Sequence, residues 1–181
     1  MFGKQSNISK KVKAMENKKN NKVLKGLIIN ILVKLGIFAI LYGLAFGVFF
    51  GVFRMNSYSM TPNVNFRDVL LYNRMSDIVI DDFVVYEVNN EEFVGRVVGL
   101  PGDNVRIDAN GFVYRNGSIL FETNIYNDIG VCEPVEVTLA QGQYFVLCDD
   151  RQIVDDSRTF GPISESSIKG VVFFNMRRYG V

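Results

Sequence analysis

"DFVVYEVN", residues 82–89, and "EFVGRVVG", residues 92–99, decide the class of fold. Both are dense in valine and aromatic side chains, which suit a pleated, half-buried surface better than a helix. Working outward, "DVLLYN" (68–73), "NVRID" (104–108), "VEVT" (135–138), "QYFVLC" (143–148) and "GVVFFNM" (170–176) have the same character. "GFVYRNGSILF" (111–121) sets Asn116-Gly117 between two short strands, the strongest short-range hairpin signal. About eight strands after residue 54, with no amphipathic helical pattern among them, predict a closed or folded-over antiparallel sheet. No internal repeat is visible, and the segment is long enough to build a core without metal or disulfide staples.

The chain ahead of these strands is different. Residues 1–34 hold nine lysines and one acid, Glu16, whereas residues 35–181 hold ten arginines and one lysine against 18 acids. Such asymmetry places the two ends in different surroundings. Between them "LGIFAILYGLAFGVFFGVF", residues 35–53, runs 19 residues without a charge. At ~1.5 Å per residue it matches a bilayer's hydrocarbon thickness. The run is longer than a signal peptide's apolar core, and Arg54-Met55-Asn56 is no small-residue cleavage site, so an uncleaved anchor is expected. Lysine-rich flanks stay in the cytoplasm, and Lys34 can snorkel to the inner interface. The expected organisation is a basic cytoplasmic tail (1–25), a transmembrane anchor (26–53) and an extracytoplasmic β domain (54–181). Residues 1–22, rich in Lys and Asn, are expected to be disordered.

The chain has no histidine. That excludes Ser-His-Asp and Cys-His catalysis and the usual zinc sites. Cys132 and Cys148 lack metal-ligand spacing and are left as a disulfide or as buried free thiols. No metal or other cofactor is expected, and nothing points to nucleic acid.

Three stretches carry further chemistry: "NSYSMTPNV" (56–64), "GRVVGLPGD" (95–103) and "LCDDRQIVDDSRTFG" (147–161). In this order they resemble the type I signal peptidases, from the anchor to about residue 176. The resemblance implies a membrane-anchored serine endopeptidase family with a β-rich outer domain and a serine–lysine dyad. Ser59 matches the nucleophile. Ser57 matches a hydroxyl that helps to form the oxyanion hole in some members, with the Ser59 backbone N–H as the other donor. Arg96, Asp149, Asp156 and Arg158 match structural positions of the family's boxes. The departures are specific. Gly95 stands where the catalytic lysine belongs, and Val154 stands where a hydroxyl orients that lysine.

A replacement base is hard to find. Arginine stays protonated, and Lys169, the lone lysine after residue 34, has nothing in the sequence to bring it near Ser59. Asp149 or Asp156 could take a proton if its pKa were raised; each reads better as a partner of Arg96 or Arg158. Cys148 ends an apolar strand and reads as core. A subset of signal-peptidase-like proteins associated with Gram-positive pilus assembly also has glycine at the lysine position, and "FVVYEVNNEEFVGR" (83–96) looks similar to theirs. The implied partners are signal peptides or pilin precursors as extended polypeptides, membrane lipid and pilus assembly machinery, with proteolysis impaired or absent. The alternative is an active signal peptidase using Ser59 and an unconventional base. The charge asymmetry gives the first prediction. Protease added to intact spheroplasts degrades the chain after Arg54 and spares an N-terminal tag; a protected C-terminal domain refutes that orientation.

Overall fold

The structure, a computed structural model, describes residues 2–121, 125 and 132–177. The outermost expected boundaries, residues 1 and 181, lie outside the described residues. The chain divides into two units, residues 1–47 and 48–181.

The first unit is helical: α1 runs Phe2–Phe49. The expected disorder over residues 1–22 is therefore corrected from Phe2 onward. Lysine and glutamate are acceptable helix formers, and extending an existing helix needs no new nucleus. Among the described residues one segment is long and apolar enough to cross a membrane, Leu24–Phe49, 26 residues with a mean hydropathy of 2.3. At ~1.5 Å per residue it exceeds the roughly 30 Å of a bilayer core.

The apolar run does not stay helical to residue 53. Its last residues form β1 (Phe50–Arg54), which pairs antiparallel with β2 (Val69–Asn73), Phe50 opposite Asn73 and Arg54 opposite Val69. The Arg74 N–H donates to the Phe49 carbonyl at 2.9 Å, so β2 captures the chain where the helix stops. Burial in β1 then alternates: Gly51 and Phe53 lie inward while Val52 and Arg54 are exposed. The anchor expected over 26–53 is thus helix only to Phe49.

The second unit is built from antiparallel strands, as the alternating apolar pattern requires. The remaining strands are β3 (Phe83–Val88), β4 (Glu91–Gly99), β5 (Asn104–Ile107), β6 (Val113–Arg115), β7 (Ser118–Ile119), β8 (Val135–Thr138), β9 (Gln143–Leu147), β10 (Ile163–Ser164) and β11 (Ile168–Met176). A seven-stranded sheet runs β1-β2-β11-β3-β4-β9-β10, and a four-stranded sheet runs β7-β6-β5-β8. A four-residue helix, α2 (Ser157–Phe160), precedes β10. Asn116 and Gly117 take φ values of 51° and 80° between β6 and β7, the left-handed pair that a two-residue hairpin needs. Asn89 and Asn90 do the same between β3 and β4, with φ of 52° and 69°.

Strand alternation sorts the core. One cluster gathers Phe53, Met55, Met60, Val64, Leu70, Tyr72, Val85 and Val94. A second holds Val84, Tyr86, Val97, Tyr144, Val146, Ile163 and Val171. A third joins Val105, Ile107 and Val113 of the small sheet to Phe145 and Leu147 of β9. Val85 and Val94 therefore face the first cluster, while Val84 and Tyr86 face the second. Cys132 and Cys148 are free thiols.

Candidate functional site

The turn after β1 begins by anchoring itself. Met55 N–H donates to Asp68 O and Arg67 N–H donates back to Met55 O, both at 2.9 Å. Met60, fully buried, drives into the first cluster, and Val64 N–H closes a turn on Met60 O at 2.8 Å. Between these fixed points lies Ser59, which is 5 % exposed. It borders a cleft of about 720 Å³ whose walls include Phe53, Met55, Ser57, Phe93 and Val94, with four carboxylates, Glu87, Glu91, Glu92 and Asp155.

Ser57 and Ser59 are brought together. Their hydroxyls lie 2.9 Å apart, and the Ser59 N–H donates to Ser57 Oγ at 3.4 Å. Among the described residues the Ser59 hydroxyl bonds no amine or carboxylate. The two groups expected to point at an oxyanion are instead directed at each other.

The turn is held by a buried ion pair. Arg96 on β4 donates from Nε and Nη2 to the two oxygens of Asp149, each at 2.8 Å, with Asp149 fully buried. Asn63 Nδ2 donates to Asp149 Oδ2 at 2.7 Å, and Asp150 N–H donates to Ser59 O at 2.9 Å. Arg96 also stacks over the Phe83 ring, 4.6 Å from its centroid. The second pair shapes the next segment. Arg158 Nη2 donates to Asp156 Oδ2 at 2.6 Å, while its Nη1 and Nη2 bind the carbonyls of Arg151 and Ile153. Asp156 also caps α2 and accepts from Cys148 N–H at 2.9 Å. Burial works against the Arg158 charge, but the hydrogen bond and charge of Asp156 outweigh it and raise its pKa. Asp149 and Asp156 are thus both engaged with guanidinium groups, and neither lines the Ser59 cleft. Cys148 is fully buried, and burial, followed by Asp156, pushes its thiol far up.

Gly95 and Val154 also lie outside the lining of that cleft. A Cβ at residue 95 would overlap Val146 Cγ1 and lie 3.2 Å from Leu147 O and 3.5 Å from Tyr86 Cε1. Tyr86 is fully buried, and its hydroxyl donates to Asp155 O at 3.0 Å. Its ring therefore reaches from the surroundings of Gly95 to a residue of the cleft wall. Val154 is 51 % exposed and lines a different cleft, of about 410 Å³, with Ile107, Cys132 and Thr159. In the cleft wall the neighbouring residue Asp155 is found instead.

Lys169 is nearer the site than its sequence position indicates. Its amine lies 2.7 Å from Glu87, a cleft residue. The Glu87 hydrogen bond raises the Lys169 pKa, the opposite of what a neutral amine base requires. Tyr86, Asp155 and the glutamates around Asn89-Asn90 were not singled out from the sequence. The pairing of Tyr86 with Phe93 follows from the hairpin register, once Asn89-Asn90 is read as its turn.

A profile described as signal peptidase, peptidase S26, matches residues 28–177. The chain belongs to the signal peptidase family. Signal peptidase IB of Staphylococcus aureus is 35 % identical over 109 residues, covering 50 % of this chain and 56 % of that protein. Signal peptidase I V of Bacillus subtilis is 29 % identical over 138 residues, covering 66 % of this chain and 82 % of the other. The chain thus spans little more than half the length of the staphylococcal relatives. A solved signal peptidase I from Enterococcus faecalis has 27 % identity and a TM-score of 0.47, covering 54 % of this chain and 98 % of its own.

Two predictions follow from the packing of this family member. Asp149→Ala removes the paired hydrogen bonds that hold the buried Arg96 guanidinium, leaving it the looser contact with Asp81 at 3.9 Å, and lowers stability by about 3–5 kcal/mol, read as a reduced denaturation midpoint of the detergent-solubilised chain. Gly95→Ala overpacks the interior and lowers stability by about 1–3 kcal/mol. Adding Val146→Ala recovers part of that loss, because the two sites share one contact; additive losses contradict the packing account.

Proposed function

We propose that the chain is a signal peptidase I-like membrane protein that receives secreted or pilin precursors as extended polypeptides, on the outer membrane face, with proteolysis impaired or absent. The observation that carries this reading is the pairing of Ser59 Oγ with Ser57 Oγ at 2.9 Å, with no base bonded to it among the described residues. A serine hydroxyl attacks poorly unless its proton is removed as it does so. Position 95 offers no amine, and Val146 and Tyr86 fill the space beside it. In serine proteases, loss of nucleophile or base costs about 10⁶ in turnover, while the rest of the site retains about 10³–10⁴ over water. Trace cleavage is therefore compatible with a principal role in holding or assembling a client. Polypeptide binding needs only strand edges and pockets for alternate side chains.

One observation favours the second reading, an active signal peptidase with an unconventional base. Asp155, Glu87, Glu91 and Glu92 line the same cleft as Ser59, so a carboxylate is available there. The roles of Ser59 as nucleophile, of Ser57 and the Ser59 N–H as oxyanion donors, and of Arg96, Asp149, Asp156 and Arg158 as framework belong to this proposal, as does the orientation with the N-terminus inside.

Cleavage of one lipid-embedded precursor, compared across three proteins, separates the readings. Wild type and Ser59→Ala are expected to give the same near-background rate. The variant Gly95→Lys/Val154→Ser is expected to stay near that rate too, because Val146 and Tyr86 still fill the space beside residue 95. Cutting by wild type at rates ordinary for a signal peptidase, abolished by Ser59→Ala, overturns the non-catalytic reading and establishes an active peptidase whose base must be sought.

A further inference from the structure

We infer that the outward face of β1, β2 and β11 rests on lipid, its apolar side chains set in the interfacial layer of the bilayer. The inference rests on reading Leu24–Phe49 as a membrane span. The strand registers assemble this face. Val52 stands opposite Leu71, and Leu71 opposite Phe174, which makes one row across three strands. The next row is Arg54, Val69 and Met176. The register shifts between Val172 and Phe174, so Phe173 is the extra residue of a bulge. Without it, strand alternation would turn Phe174 toward the core. With it, both phenylalanines point outward: Phe173 is 55 % and Phe174 49 % exposed, beside Val52 at 63 % and Met176 at 50 %. The Phe173 ring also meets the Phe50 ring edge-on, with centroids 5.5 Å apart. Bulges re-aim side chains at defined places, and a contiguous exposed apolar face marks an interaction surface.

Two observations name lipid as the occupant. The first is continuity. Phe50 follows Phe49, the last residue of the span, with no linker. A short stretch of chain reaches Val52 and two strand spacings reach Phe174, so the face lies within about 20 Å of the end of the span. The second is charge. Residues 35–181 hold 18 acids, yet β1, β2 and β11 hold none; their charged residues are Arg54 and Lys169. Arg54 sits at the margin of the apolar rows, where a guanidinium suits phospholipid phosphates, and aromatic rings favour the same layer. Val52 faces outward, whereas its neighbour Phe53 lines the Ser59 cleft. β1 thus stands between the lipid and the cleft.

The chain has no tryptophan, so a single introduced one reports its own position. The full chain is reconstituted in vesicles of phosphatidylcholine and phosphatidylglycerol, with acyl chains brominated near the headgroup or near the terminal methyl. Four variants are compared: Phe174→Trp, Val52→Trp, Ile37→Trp and Phe112→Trp. Interfacial apolar faces bury about 5–10 Å into the headgroup–acyl boundary. The reporters at positions 174 and 52 are therefore expected to emit to the blue and to be quenched more by the shallow bromines than by the deep ones. Position 37, in the middle of the span, shows the reverse order. Position 112, exposed on the loop before β6, is quenched by aqueous acrylamide and not by brominated lipid. If positions 174 and 52 are open to acrylamide and unquenched by lipid while position 37 is quenched, the face inference is overturned and the anchor stands. Absence of lipid quenching at position 37 overturns both. Equal lipid quenching at position 112 overturns the inference, since the domain then adsorbs without a chosen face. Shielding of positions 174 and 52 from lipid and acrylamide alike assigns the face to a second copy of the chain and also overturns it.

Discussion

The Arg96–Asp149 pair organises the site. Arg96 is a β4 residue, Asp149 follows β9, and Asn63 belongs to the turn after β1. One carboxylate ties all three together, taking two hydrogen bonds from the planar guanidinium and one from the amide. A lysine in place of Arg96 could not make the parallel pair of bonds. The same segment then supplies Asp150 N–H to the Ser59 carbonyl, so the position of Ser59 is inherited from an ion pair one strand away. Strand alternation separates this function from that of the preceding position. Arg96 meets the turn, whereas Gly95 faces Val146 and Tyr86. Two adjacent residues thus do different things: Arg96 holds the turn, and Gly95 lets Val146 pack against its backbone.

The strands could be read from composition because their valine and aromatic content is high and their turns are conventional. Asn116-Gly117 announces its hairpin; Asn89-Asn90 makes the same left-handed pair without a glycine to signal it. β1 was hidden because its residues are as apolar as the helix before them. Only the partner strand β2 distinguishes the two, and a pairing partner is not a local property. The same limit applies to the site. The spacing of Ser57 and Ser59 and the two guanidinium–carboxylate pairs follow from short motifs. The motif puts Val154 where a hydroxyl would orient the lysine, yet the loop closed by Arg158 leaves Val154 exposed and places Asp155 in the cleft wall. One residue of loop geometry changes which chemistry faces the serine. Tyr86 is not legible as a site residue, because a tyrosine in a strand reads as core and its hydroxyl contact to Asp155 O depends on a segment 69 residues away.

Among the described residues, none of the charged groups around the cleft makes a hydrogen bond to the Ser59 hydroxyl. Lys169 is held as a cation by Glu87, so it adds to the charge pattern without offering a lone pair. The rim glutamates stand at a hairpin tip in solvent, where water competes for every interaction. The buried carboxylates Asp149 and Asp156 are both occupied in holding loops.

The filling around Gly95 limits what that position can accept. A cavity left empty by a missing side chain can be reoccupied by one substitution. Here Val146 already occupies that space and Tyr86 has linked its hydroxyl to Asp155 across it. A lysine arriving alone at residue 95 must displace packed side chains before it can serve any purpose. Its first effect is a less stable protein. Placing a working amine at residue 95 therefore takes at least two coordinated changes, one to add the side chain and one to make room for it. The neighbours, and not the backbone position itself, decide what residue 95 can hold.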